Sequence, residues 1–331
     1  MSKAVALLLV LCATVPAGAQ KRKRGQNFWQ GVAHPHQAEV DQLLQRARTL
    51  RSRAQSSGQP QRQQAYDGAI GRFKKALELA PDQASVAAEL AQTAKEAGEF
   101  AVAVDAFRHL AAVDAESRVY AYDYDLAFSL FRLRRWEEAR EALDHGFATG
   151  RIVKTGYPMA LRLYGYTNMN LGRLDDAIEA YTTVVDGQAA PQGYGGGDVA
   201  APLTDLAVAL DRDEQHALAA DALDRAQQYD PNFDHLLTPY ALVPFSPAAD
   251  RHYWLGLAYE RRGLLTEAAA EWRNYAQSAD PPPLYKKRAE EHLRAVTAEL
   301  DKRIGRKPAK PAGATAPRPS RPTIRHPRVS P

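Results

Sequence analysis

With 331 residues, 45% of them apolar, and a mean hydropathy of −0.45, the chain is long enough to bury a substantial core and reads as a soluble body. The net charge of +4 hides a segregation: fourteen of the 43 basic residues sit at Lys3, at Lys21–Arg24 and from Lys302 onward, and the remaining 29 share residues 25–301 with all 39 acidic ones, a balance of about −10. An acidic body with basic ends excludes reading the pI of 9.0 as a uniformly basic folded surface, and no specific nucleic-acid partner is expected.

The chain opens with a minimal basic start at Lys3, an apolar run from Ala4 to Val15, and small residues Ala17, Gly18 and Ala19 ahead of Gln20. That is the layout of a secretory signal peptide (residues 1–19) cleaved after Ala19, and the run is too short to anchor in a bilayer. The mature protein is therefore expected in the periplasm or outside the cell. The only cysteine, Cys12, lies inside the run. Leu11 precedes it where a lipidation signal needs a small residue, and the apolar run continues past it. Removal of the signal leaves no disulfide, thiolate nucleophile or cysteine metal site. Residues 20–35 read as a basic linker. His34 and His36 flank a proline with no third ligand nearby, so no metal is expected there.

From residue 36 a pattern recurs: a small residue, a bulky one four later, and often a second small one three after that. Ala69, Phe73 and Ala76 set it. Ala103 with Phe107, Ala139 with Leu143, Ala177 with Tyr181, Ala219 with Leu223 and Ala226, and Ala268 with Trp272 repeat it. The alanine anchors are separated by 34, 36, 38, 42 and 49 residues. Turns precede four of them, at 96–100, 132–136, 170–174 and 261–265. Gly98, Gly172 and Gly263 in these turns suit a left-handed helix end. Upstream lie bulky–small pairs, Tyr164–Gly165 and Leu255–Gly256, where a missing side chain lets two helices close on each other.

These units resemble tetratricopeptide repeats (TPR). The resemblance covers residues 36–280 in six units, the first of them weak in its first helix, where Val40, Leu43, Leu44, Ala47 and Leu50 supply an apolar face. It implies an all-α fold: a right-handed α-α superhelix of about six TPR-like helix pairs plus a C-terminal capping helix. After Pro281, Pro282 and Pro283, the helix over 284–303 carries Leu293, Val296, Leu300 and Ile304 on one face and fits that cap. The array as a whole is expected over 36–303. Spacings above 34 imply insertions near 186–202, polar and glycine-rich, and near 231–248, where Phe233, Leu236, Leu237, Tyr240, Leu242, Val243 and Phe245 lie between prolines. Residues 304–331, rich in Pro, Arg and Lys, are expected to be a disordered basic tail.

No catalytic constellation emerges. Gly193–Gly197 lacks the lysine and hydroxyl of a phosphate loop. Asp123 and Asp125, two apart on a helix, point in different directions. The chain is therefore expected to be no enzyme and to hold no cofactor or metal. The resemblance implies instead that the first helix of each unit lines a concave groove for a protein or peptide partner. It places Tyr124, Phe128, Phe131 and Arg132 there from the third unit, Met159, Arg162, Tyr166, Met169 and Asn170 from the fourth, and Tyr253, Leu257 and Arg261 from the sixth. Ala88, Gln92, Tyr124 and Arg162 stand where some family members carry a lysine and asparagine clamp for acidic C-termini, and do not make it. The leading reading is a non-catalytic scaffold or assembly factor of the cell envelope. The alternative is an envelope-associated structural spacer whose basic termini bind anionic polymer or lipid headgroups.

Overall fold

The computed structural model describes residues 36–114, 122–152, 158–188, 196–237, 245–279 and 283–305. The expected signal peptide, the linker at 20–35, the tail beyond residue 305, and Tyr240, Leu242 and Val243 lie outside the described residues.

Among the described residues there are thirteen α-helices and no strand. They are α1 (Gln37–Ser56), α2 (Gln61–Leu79), α3 (Ala84–Ala97), α4 (Phe100–Val113), α5 (Tyr122–Arg132), α6 (Trp136–Ala148), α7 (Pro158–Asn170), α8 (Leu174–Gln188), α9 (Gly196–Arg212), α10 (His216–Tyr229), α11 (Asp250–Arg261), α12 (Leu265–Gln277) and α13 (Pro283–Arg303). Twelve of them form six consecutive pairs, each packed on the next, and α13 follows as the thirteenth, so the all-α array with a final capping helix is what the chain forms.

The repeat pattern is a packing pattern. All six alanine anchors are buried, and so are the bulky partners Phe73, Phe107, Leu143, Tyr181, Leu223 and Trp272. A Cβ built on Gly165 would stand 2.4 Å from the ring of Tyr181, and one on Gly256 would stand 2.6 Å from Trp272. Each glycine is therefore the flat seat on which the following helix lays its aromatic ring.

Between the helices of a pair, one position five residues before each of the last five anchors turns left-handed. It is Gly98, Gly172 and Gly263 in units two, four and six, but Arg134 (φ 59°) and Glu214 (φ 60°) in units three and five. Acidic residues then open several second helices, Glu137 and Glu138 in α6 and Asp175 and Asp176 in α8, where they meet the positive end of the helix dipole.

Three sequence expectations change. The first insertion is narrower than 186–202: α8 runs to Gln188 and α9 begins at Gly196, because Ala200, Leu203 and Leu206 bury an apolar face that rewards helix even with Pro202 inside it. The second insertion is partly core. Phe233 and Leu236 are buried around a short 3-10 turn (Asp234–Leu236), and Phe245 packs edge-on against Trp254 at 5.3 Å, whereas Leu237 is exposed. In α13, Val296 is buried and Leu293 and Leu300 pack on the core, but Ile304 falls past the helix end and is exposed.

Candidate functional site: the face of the odd-numbered helices

The first helices of successive units share one face, because ion pairs run from one to the next at every step but one. Arg48 of α1 meets Glu89 of α3 at 2.5 Å, and Arg51 meets Glu96. Lys95 of α3 meets Asp125 of α5 at 2.6 Å, with Gln92 donating to the same carboxylate. Arg162 of α7 meets Asp205 of α9 at 2.7 Å, Arg212 of α9 meets Asp250 of α11 at 2.9 Å, and Asp211 of α9 meets Arg288 of α13 at 2.6 Å. At the remaining step, α5 to α7, Phe131 meets Tyr166 edge to face, with ring centroids 6.4 Å apart. Asp125 and Asp205 stand at the same register, fourteen residues before Ala139 and Ala219. Asp123, two residues from Asp125, turns the other way, toward His145 at 2.7 Å.

Burial changes along this ladder. The side chains of Arg48 and Glu89 are 57% and 23% exposed; those of Arg212 and Asp250 are 0% and 2% exposed. Asp205 is a hub. Arg162 donates to it from Nε at 2.8 Å and from Nη2, Tyr166 donates from Oη at 2.7 Å, and Trp254 from Nε1 at 3.0 Å, while the Tyr166 and Trp254 rings stack nearly parallel at 5.5 Å. Burial alone would discharge Arg162, but the Asp205 carboxylate outweighs it and holds the guanidinium charged. Burial, reinforced by the same negative charge, pushes the Tyr166 phenol far above its ordinary range. Arg212 lies among the rings of Tyr253, Trp254 and Tyr285, at 4.6, 5.0 and 4.1 Å from their centroids, with Asp250 as counter-ion.

The last helix closes this end of the face. Tyr285 Oη donates to the Met169 carbonyl at 2.6 Å. Arg288 and His292 reach Asp211, which also accepts from Tyr253 Oη at 2.6 Å. His292 sits between Asp211 and Glu260, 3.0 Å from each, and stacks on Trp272 at 4.4 Å. Burial opposes charge on both partners. Hydrogen bonding and attraction win, so His292 is raised to about 9 and Asp211 is held well below the usual carboxylate range.

These contacts redistribute the expected groove residues. Phe131, Arg162, Tyr166, Met169, Tyr253 and Leu257 are buried inside the array and offer no surface to a partner, which corrects their assignment to the groove lining. Their aromatic, Met and Arg character serves the internal network. Met159 and Asn170 are half-buried, and the Asn170 amide donates to the Tyr166 carbonyl at 2.9 Å. Arg261 is exposed but ion-paired with Asp224. Tyr124, Phe128 and Arg132 remain accessible. The two rings lie 6.3 Å apart, Phe100 meets Phe128 edge-on at 6.1 Å, and the Arg132 guanidinium lies over Phe100 at 4.6 Å. Partial burial lowers the Arg132 pKa.

The sequence reading missed Asp205, Asp211, Arg212, Asp250, Trp254, Tyr285, Arg288 and His292. The recurring acid at one register was the available signal. Among the described residues no three His, Cys, Asp or Glu side chains come together as a metal site, and no helix is long and apolar enough to cross a membrane.

The fold and this face define an all-α array of paired helices whose first members share a charged inner surface. Residues 124–194, from α5 through α8, match the family model described as tetratricopeptide repeat. Among solved structures, the chain is similar to the MamA protein (TM-score 0.48, 20% identity, covering 62% of this chain and 98% of that one). It is also similar to a putative kinesin light chain of Podosopora anserina with nearly identical TPR-like repeats (0.41, 18%, 67% and 98%) and to the TPR domain of P58(IPK) (0.38, 14%, 88% and 72%). No curated protein matches the sequence.

Proposed function

We propose that the protein is a non-catalytic interaction scaffold of the cell envelope, exported by its N-terminal segment, that takes a partner segment on the face of α5 beside the start of α4. One observation carries the reading: Tyr124, Phe128, Phe100 and Arg132 form a half-buried aromatic floor with a cation beside it, while the equivalent surface over α7, α9 and α11 is consumed by the chain's own side chains. Aromatic and arginine side chains in such settings supply most of the free energy at protein interfaces. The fitting partner segment places an apolar side chain on Phe128 and a carboxylate at Arg132. Among the described residues no acid pairs with Arg132, so a partner's carboxylate adds attraction without displacing one of them.

The test is site-specific photocrosslinking of the exported protein in cells. A crosslinker at Phe128 is expected to capture one discrete partner, a capture abolished by Arg132→Glu. A crosslinker at Leu218, exposed on α10, is expected to capture nothing in common with it. Equal capture at both positions, or a full-length protein retaining residues 1–19 in the cytoplasm, overturns the reading.

A further inference from the structure

The hold of α13 on the array differs in kind from that of its neighbours. In α11, seven of twelve residues are buried. In the 21-residue α13, the buried described side chains are Tyr285, Ala289 and Val296, Leu293 and Leu300 pack partly buried on the core, and the face toward α9 and α11 is held by polar groups. Tyr285, Arg288 and His292 fall at i, i+3 and i+7, one face of a helix. That face meets an aromatic and acidic floor: Tyr253 and Trp272 as rings, Asp211 and Glu260 as charges. An element with few fully buried apolar groups and a largely charge-based hold falls toward the low-stability end of a fold.

We propose that α13 is an intramolecular ligand of the groove. It occupies the floor built by α9, α11 and α12, and it gives that floor up to a partner helix with the same face, an aromatic residue followed at three and seven positions by arginine and a second basic group. The proposal rests on the reading of the odd-helix face as a partner groove, and concerns its C-terminal end. Charge complementarity selects this occupant. Asp211 and Glu260 would stand without counter-charges beneath an apolar or acidic helix, and burying them so is costly. The vacated floor also exposes Trp272, whose indole N–H donates to Glu260.

The experiment uses the full chain and a labelled synthetic peptide of residues 283–303. Native-state hydrogen exchange is expected to show α13 amides exchanging at least tenfold faster than those of α11. In Arg288→Glu, which sets an acid against Asp211, the acceleration is expected to grow and stay confined to α13. The peptide in trans is then expected to bind this variant at least tenfold more tightly than the parent chain, and a peptide carrying Tyr285→Ala and Arg288→Glu is expected not to bind. Exchange of α13 at the rate of α11, or joint acceleration of both helices in Arg288→Glu and in the milder His292→Gln, would show that α13 is an integral part of the fold and overturn the proposal. Because the probe is the chain's own helix, failure here is independent of whether a crosslink forms at Phe128.

Discussion

The two halves of the array use one device in two ways. In α1 to α6, charge pairs between first helices keep partial access to solvent, and the aromatic groups beside them are half-covered. In α7 to α13 the pairs between first helices, Asp205 among them at the register of Asp125, are sealed beneath Phe245, Trp254 and Tyr285. An exposed pair contributes about 0–1 kcal/mol, because water and salt already satisfy its partners. A sealed pair contributes little net stability over an apolar substitute, yet leaves an uncompensated buried charge when one partner is lost. The comparison teaches that a repeat's register fixes where charges stand, while the elements that arrive later in the chain decide whether they remain a surface.

The largest test of that contrast is a matched pair of truncations. Asp205→Ala strands Arg162 and leaves the Tyr166 hydroxyl and the Trp254 indole without an acceptor, so it is expected to cost about 3–5 kcal/mol in denaturant unfolding. Glu89→Ala is expected to cost no more than about 1 kcal/mol. Similar losses in the two would erase the distinction between the halves.

A second, intermediate effect is alkaline weakening of the C-terminal half. Folded His292 is raised to about 9 from 6.5, so its contribution is fully present below pH 6.5 and is lost as pH rises through about 9. The groups facing it are Asp211 on α9, Tyr253 and Glu260 on α11, Trp272 on α12, and Arg288 on its own helix. Thermal melts are expected to show a decline between pH 6.5 and 9 that His292→Gln removes and Glu89→Ala leaves in place. A parent profile flat across that window would count against the bridge.

The smallest effect concerns a backbone position. Glu214 holds a left-handed conformation that glycine adopts without a Cβ penalty, so Glu214→Gly is expected to stabilise by about 0.5–1 kcal/mol despite glycine's larger unfolded-state entropy. Destabilisation by that amount would mean that the Glu214 side chain contributes more than its backbone costs.

Much of the fold was legible because it rests on local spacing. The alanine anchors, their bulky partners, and Gly165 and Gly256 each encode a close helix contact within about forty residues of sequence. The turn at 132–136 was legible but its left-handed residue was not, and the turn at Glu214 was missed, since neither Arg134 nor Glu214 announces a positive φ. The start of α9 was hidden by glycines whose low helix propensity is overruled by the burial of Ala200 and Leu203. The groove was legible only in part. Residue type distinguished Phe128 from a solvent-facing position, but nothing local separates open Tyr124 from buried Tyr253. That difference comes from α12 and α13, the latter placed by contacts across as many as 116 residues.

The bond from Tyr285 to the Met169 carbonyl also sets an order of events. A chain emerging from its N-terminal end can complete its first three units while the residues of α13 are still to be added. The fourth unit then waits with the carbonyl end of α7 unsealed until more than a hundred further residues have been made, and the fifth with Asp211 unsealed until Arg288, 77 residues on, is added. During that interval the later units present the half-open, charged inner surface that the earlier ones keep permanently. The most tightly sealed part of the molecule is thus the last to become so.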